Sequence, residues 1–127
     1  MSDFKVISRT YKTVHYKNNK KDQDYITISS NKVWDSGPMV FSDMADGWIP
    51  IAIKGVSIRN KDNKLPSKLV LSNYALGNSI SSHLLRLYVT NPSASSTTMS
   101  SITCDVLCMK GNYPLGIEYD EVELRNG

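Results

Sequence analysis

The chain has 127 residues, 40% hydrophobic and 21% charged, with a formal net charge of +3, a size that suits one domain around one core. No apolar run approaches the ~20 residues that span a bilayer, so membrane insertion is not expected. The first 21 residues lack the apolar stretch of a secretory signal, so no signal peptide is expected either.

Charge is unevenly placed. Residues 1–21 carry six basic groups and one acidic group, whereas residues 111–127 carry four acidic and one basic. A nucleic-acid binder presents a basic stripe interleaved with aromatics on a folded face. Here the positive charge gathers near one terminus, so no nucleic-acid partner is expected.

Alternation with period two dominates from end to end, and no segment shows the period of an amphipathic helix. "KNNKKDQ" (17–23) has the composition of a loop. "YITISS" (25–30) places Ile26 and Ile28 on one face. "DSGP" and "DMADG" then punctuate the chain around Trp34 and before Trp48. In "WIPIAIKGVSIRN" (48–60), Ile49, Ile51 and Ile53 alternate, and the phase then changes to Val56 and Ile58. Side chains of a strand point to opposite faces in turn, so one extra residue is needed to keep both halves facing the core. Lys54-Gly55 at the phase change predicts a bulge.

"NKDNKLP" (60–66) reads as a loop. "SKLVLSN" turns Leu69 and Leu71 inward, and "NYALGNSISSH" (73–83) reads as a second loop. "LLRLYVT" turns Leu85, Leu87 and Val89 inward, with Arg86 and Tyr88 opposite. After the loop "TNPSASS", "SITCDVLC" turns Ile102, Cys104, Val106 and Cys108 inward, with Thr103, Asp105 and Leu107 opposite. Short strands at this spacing, divided by turn residues, predict an all-β fold: an antiparallel, jelly-roll-like β-sandwich in a single domain. Its core occupies about residues 8–110, and residues 111–127 form an extension.

Cys104 and Cys108 are the chain's two cysteines. On one strand their Cα atoms stand about 13 Å apart, beyond the about 7 Å that a disulfide allows. A zinc site would need further Cys or His ligands, and the histidines, His15 and His83, are distant in sequence. The cysteines therefore read as small core hydrophobes.

No phosphate-binding glycine loop, HExxH, GxSxG or CxxC is present. Asp43, Asp46, Asp62 and Asp105 could be drawn into a glycosidase pair, but loop aspartates more often form turns. Neither catalysis nor a cofactor or metal is expected. Saccharide binding needs an aromatic ring against the sugar's apolar face and polar groups for its hydroxyls. Trp34, Tyr74, Asn78 and His83 are the candidates for that role.

The order of motifs resembles the C-terminal head domains of phage and prophage tail-fibre or receptor-binding proteins. A Tyr-Lys-Thr strand ("RTYKTVHYK") comes first, then a glycine-aromatic-x-proline strand ("GWIPIAIKGVSI"). A loop-rich middle leads to "LRLYVTNPSASS", and the last apolar strand closes on a lysine ("CDVLCMK"). The match runs over residues 8–110. The resemblance implies a non-enzymatic β-sandwich made in the bacterial cytoplasm and located in the virion tail. It further implies a trimer that contacts other tail subunits and recognises a host cell-surface saccharide. Two other readings stand beside it: a structural tail or baseplate subunit that binds only virion proteins, and a free-standing bacterial carbohydrate-binding module. The oppositely charged ends add one more expectation, that "VISRTYKTVHY" meets "GIEYDEVEL", within a subunit or between subunits.

Overall fold

The computed structural model describes residues 3–65, 67–110 and 122–124. The described residues hold no α-helix and are mostly in strands. In order these are β1 (Phe4–Lys12), β2 (His15–Lys17), β3 (Lys20–Gln23), β4 (Ile26–Ile28), β5 (Val33–Asp35), β6 (Met39–Asp43), β7 (Trp48–Arg59), β8 (Val70–Asn78), β9 (Ser82–Thr90), β10 (Thr97–Met99) and β11 (Ser101–Lys110). A 3-10 turn, Met44–Asp46, separates β6 from β7.

Two antiparallel sheets pack into the predicted sandwich. One has the order β1-β11-β7. The other is centred on β9, with β8 along one side and β5 and β6 in succession along the other. The alternating residues of the two central strands make the core. Leu85, Leu87 and Val89 face Cys104, Val106 and Cys108, all at 0% exposure, with Ile102 beside them. Full burial of each aliphatic side chain contributes about 1.5–3 kcal/mol.

The bulge forms where the phase change placed it. Gly55 pairs with Asp105 and Ile53 with Val106, which leaves Lys54 unopposed and keeps Ile53, Val56 and Ile58 on the inner face. A second irregularity overturns part of the expected alternation. Ala52 pairs with Leu107 and Pro50 with Cys108, so Ile51 is unopposed and 39% exposed while Pro50 is buried. Proline has no N–H to give to a ladder, and within sheets it settles at bulges and edges.

Two other segments depart from the sequence reading. "KNNKKDQ" is part of a hairpin, β2–β3, which turns at Asn18 and Asn19, both at positive φ. That backbone favours Asn and Gly and matches the twist of the flanking strands. Residues 97–99 form β10, which pairs with β4. Asn91, wholly buried, ties the neighbouring loops together by donating to the Ile28 and Ser95 carbonyls. The expected meeting of the charged ends falls largely outside the described residues.

Candidate functional site

The outer face of the first sheet carries an ordered pattern. Thr10 and Ser57 flank Thr103 across the three strands, and one step along, Lys12 and Arg59 flank Ser101. Strands lie 4.7–4.9 Å apart, so the Lys12 and Arg59 backbones stand about 10 Å apart over a hydroxyl floor. The Thr10 and Thr103 hydroxyls bond to each other at 2.8 Å. Asp105, on a strand rather than in a turn, accepts from the Ser8 hydroxyl.

Two loops wall this floor into a depression of about 810 Å³. The β2–β3 hairpin and the residues after it supply Lys21 and Asp24, joined as an ion pair. Loop 60–64 supplies Lys61 and Asn63. Asn60 organises that loop, because its Oδ1 accepts from the amides of Asp62 and Lys64 at 2.9 and 3.1 Å. The Arg59 guanidinium donates to the Asn63 carbonyl at 2.9 Å, which aims it along the rim. Lys61 donates its amide to the Thr98 hydroxyl, and its ammonium lies 6.0 Å from the Tyr25 ring. Among the described residues the lining thus holds four cations, Lys12, Lys21, Arg59 and Lys61, against one carboxylate, Asp24. Hydrogen bonding to Asp24 raises the Lys21 pKa, so that lysine stays charged.

Chemically the lining suits recognition of a polar, anionic group. Cations bind carboxylate, phosphate or sulfate, and clustered Thr and Ser hydroxyls both donate to and accept from sugar hydroxyls. The exposed Tyr16 ring lies on the hairpin wall across from Lys21. His15, on the same hairpin, contacts Asp22 at 3.3 Å.

The four residues expected to bind saccharide lie elsewhere. Asn78 and His83 do meet, as opposed residues of β8 and β9 whose Oδ1 and Nδ1 are 2.8 Å apart. His83 is buried. Tyr74 opposes Leu87, four residues along β8 from Asn78 and so about 13 Å away. Trp34 opposes Val89, about 20 Å along β9 from His83. Both aromatics pack against the core. The segment read as a loop from residue 73 is strand as far as Asn78. Hence Trp34, Tyr74 and the Asn78–His83 pair are spread along the second sheet and do not converge.

The cradle residues were missed because each is an ordinary solvent-side residue of an alternating strand. The signal lay in the polar half of the alternation: Thr10 and Lys12, Ser57 and Arg59, Ser101 and Thr103. Among the described residues, no group of three His, Cys, Asp or Glu side chains is placed to hold a metal ion. No protein-family model matches the chain, and no curated protein or solved structure shows significant similarity to it.

Proposed function

We propose that the chain is a non-enzymatic, phage or prophage tail-associated binding module that recognises an anionic saccharide on a bacterial surface. The observation that carries this reading is the cradle on the first sheet, where Lys12, Arg59 and Lys61 stand around the hydroxyls of Thr10, Ser101 and Thr103. Cations select the acidic group and the hydroxyls select the sugar ring. The order of strand motifs supports the viral setting, and the trimer and virion location rest on that same resemblance.

The test is a glycan array probed with the full chain, comparing acidic with neutral saccharides. Binding should favour acidic glycans and weaken with added salt, since exposed charges are screened over about 8–10 Å at physiological ionic strength. Arg59→Ala and Lys12→Ala should each lower affinity at least several-fold with the melting temperature unchanged. Preference for neutral glycans, or binding indifferent to both substitutions, would sink the reading.

A structural tail subunit is the second reading, favoured by a separate feature, an apolar groove of about 570 Å³ between β7 and β8 that Ile53, Val56, Ile58, Leu69 and Leu71 line.

A further inference from the structure

The outer face of the second sheet carries a cluster that the cradle does not use. Leu85, Leu87 and Val89 of β9 face the core, so Arg86, Tyr88 and Thr90 face away from it. Tyr88 lies between Asp35 of β5 and Asn73 of β8. Neighbouring strands are about 4.8 Å apart, and residues two apart on one strand are about 7 Å apart. Arg86, Thr90, Asp35 and Asn73 therefore form a cross around Tyr88, about 10 Å wide and about 13 Å long. Ala75, opposite Arg86 on β8, is small and exposed, which leaves that quarter of the cross low.

Hydrogen bonds fix the cross. Arg86 donates through Nε and Nη2 to the two Asp35 carboxylate oxygens at 2.9 and 2.5 Å. The Gly37 amide donates to the same carboxylate at 2.9 Å. Those bonds, the Arg86 one foremost, hold the Asp35 carboxyl down at about 2, so the pair stays ionised and its charges cancel. The Arg86 guanidinium lies 5.5 Å from the centre of the Tyr88 ring. Thr90 Oγ1 donates to Ser72 Oγ at 2.7 Å, and Ser72 Oγ donates to the Tyr88 carbonyl at 3.1 Å. Asn73 Oδ1 accepts from the Tyr74 amide at 2.9 Å. Among the described residues this leaves the Tyr88 hydroxyl, Asn73 Nδ2 and Arg86 Nη1 without partners, and the Thr90 oxygen open as an acceptor. The Arg86 and Asp35 side chains are 42% and 40% exposed.

A cross of this kind suits an uncharged sugar ring. The Tyr88 ring offers an apolar surface to the C–H face of a pyranose. The open donors and acceptors around it match hydroxyls, which both donate and accept. The ion pair cancels its own charge, so the cluster favours hydroxyls over an anion. Side chains already held by one another lose little freedom on binding. We infer that Tyr88, with Asn73, Arg86 and Thr90, forms a second saccharide site, for an uncharged hexopyranose, on the outer face of the second sheet. This site and the cradle lie on opposite outer faces of the sandwich, so neither depends on the other.

An NMR titration of the isotope-labelled full chain tests it, with uncharged methyl hexopyranosides and their disaccharides as probes. At least one probe should shift the amides of residues 72–73 and 86–90 saturably, and added salt should leave its affinity unchanged. Tyr88→Ala should weaken that binding about tenfold. Asn73→Asp keeps the Oδ1 acceptor for the Tyr74 amide and removes the donors, and should weaken it about fivefold. Should Tyr88→Ala impair folding, the exposed Asn73→Asp and Tyr88→Phe, which removes the hydroxyl alone, carry the test. Saturable shifts that gather on Thr10, Ser57, Ser101 and Thr103 instead, no saturable shift with any probe, or an affinity unchanged in every variant would each overturn the inference. So would broadening of the 86–90 amides that grows with protein concentration and disappears in Tyr88→Ala, which would assign this face to a second copy of the chain. The cradle stands or falls on acidic glycans and on Lys12 and Arg59, so the two sites fail separately.

Discussion

The Tyr11 hydroxyl donates to the Val40 carbonyl at 3.1 Å and so joins the edge strand of one sheet to the edge strand of the other. Burial pushes the Tyr11 pKa up to about 12, with a smaller contribution from Cys104. The phenol is neutral in the folded protein over a range where the unfolded chain, with a tyrosine pKa of about 10, already ionises. Its stabilising contribution is therefore complete below about pH 10 and lost as pH rises through about 12. Tyr11→Phe should cost about 0.5–1.5 kcal/mol at neutral pH. It should also make the alkaline loss shallower, leaving the part due to Cys104, whose pKa is likewise raised by burial, to about 11. Urea melts at neutral pH and at about pH 11 check both points, and an unchanged alkaline slope would show that the phenol is already solvated in the folded state.

Asn91 is the buried tie between loops. Its Nδ2 donates to the Ile28 and Ser95 carbonyls at 2.8 and 2.9 Å, and its Oδ1 accepts from the Ser93 amide and hydroxyl. Its backbone also bonds to Lys32 and Asn31. Asn91→Asp keeps the acceptor and removes both donors, taking a bond from the Ile28 and Ser95 carbonyls and placing a new carboxylate beside them. We expect a loss on the order of 3 kcal/mol in chemical denaturation. A loss below about 1 kcal/mol would mean that the 92–96 loop re-forms its bonds elsewhere.

These two residues mark how far the sequence could be read. Alternation revealed the inner faces of β9 and β11, because burial selects every second side chain and the apolar letters record it. It also revealed the Lys54 bulge, since an extra residue leaves a phase error. The Ile51 bulge was hidden because Pro50 and Ile51 are both apolar, so no phase error appears. Asn91 looked like one more loop residue, since its burial depends on strands distant in sequence. The cradle was hidden for a similar reason. Lys12, Arg59 and Ser101 are unremarkable alone and become a site only when three strands set them side by side. Trp34 and Tyr74 stand out in the sequence as aromatic rings beside polar loops, but both rings pack against the core.

The cysteines permit a sharp test of β11. Cys104 and Cys108 are free, buried and on the inner face. Burial raises both thiol pKa values, which lowers the fraction of reactive thiolate. Both should react slowly with a thiol reagent in the native protein and fully after unfolding. Cys104→Ser places a hydroxyl in an apolar layer and should destabilise by about 1–3 kcal/mol if it finds no partner. Rapid native labelling of both thiols would contradict the packing of the two central strands.

Ser42 offers the opposite sign. It sits on β6 across from His83 on β9, and its buried hydroxyl has no hydrogen-bond partner among the described residues. An unsatisfied buried donor costs about 1–3 kcal/mol, and alanine removes it with little change in volume. Ser42→Ala should therefore raise stability by about 1 kcal/mol, whereas Ser42→Val would test overpacking instead, because it adds volume to a filled layer. The neighbouring ring limits the alternatives. His83 Nδ1 is engaged with the Asn78 side-chain oxygen at 2.8 Å, which makes Nδ1 the donor and leaves Nε2 as an acceptor in the neutral ring. If Ser42→Ala proves destabilising, the hydroxyl is bonded, and a double-mutant cycle with His83→Phe would assign the bond: coupling above about 0.5 kcal/mol places it on the ring. Stabilisation with no coupling would leave Ser42 as an unpaired group that the sandwich tolerates at the end of its core.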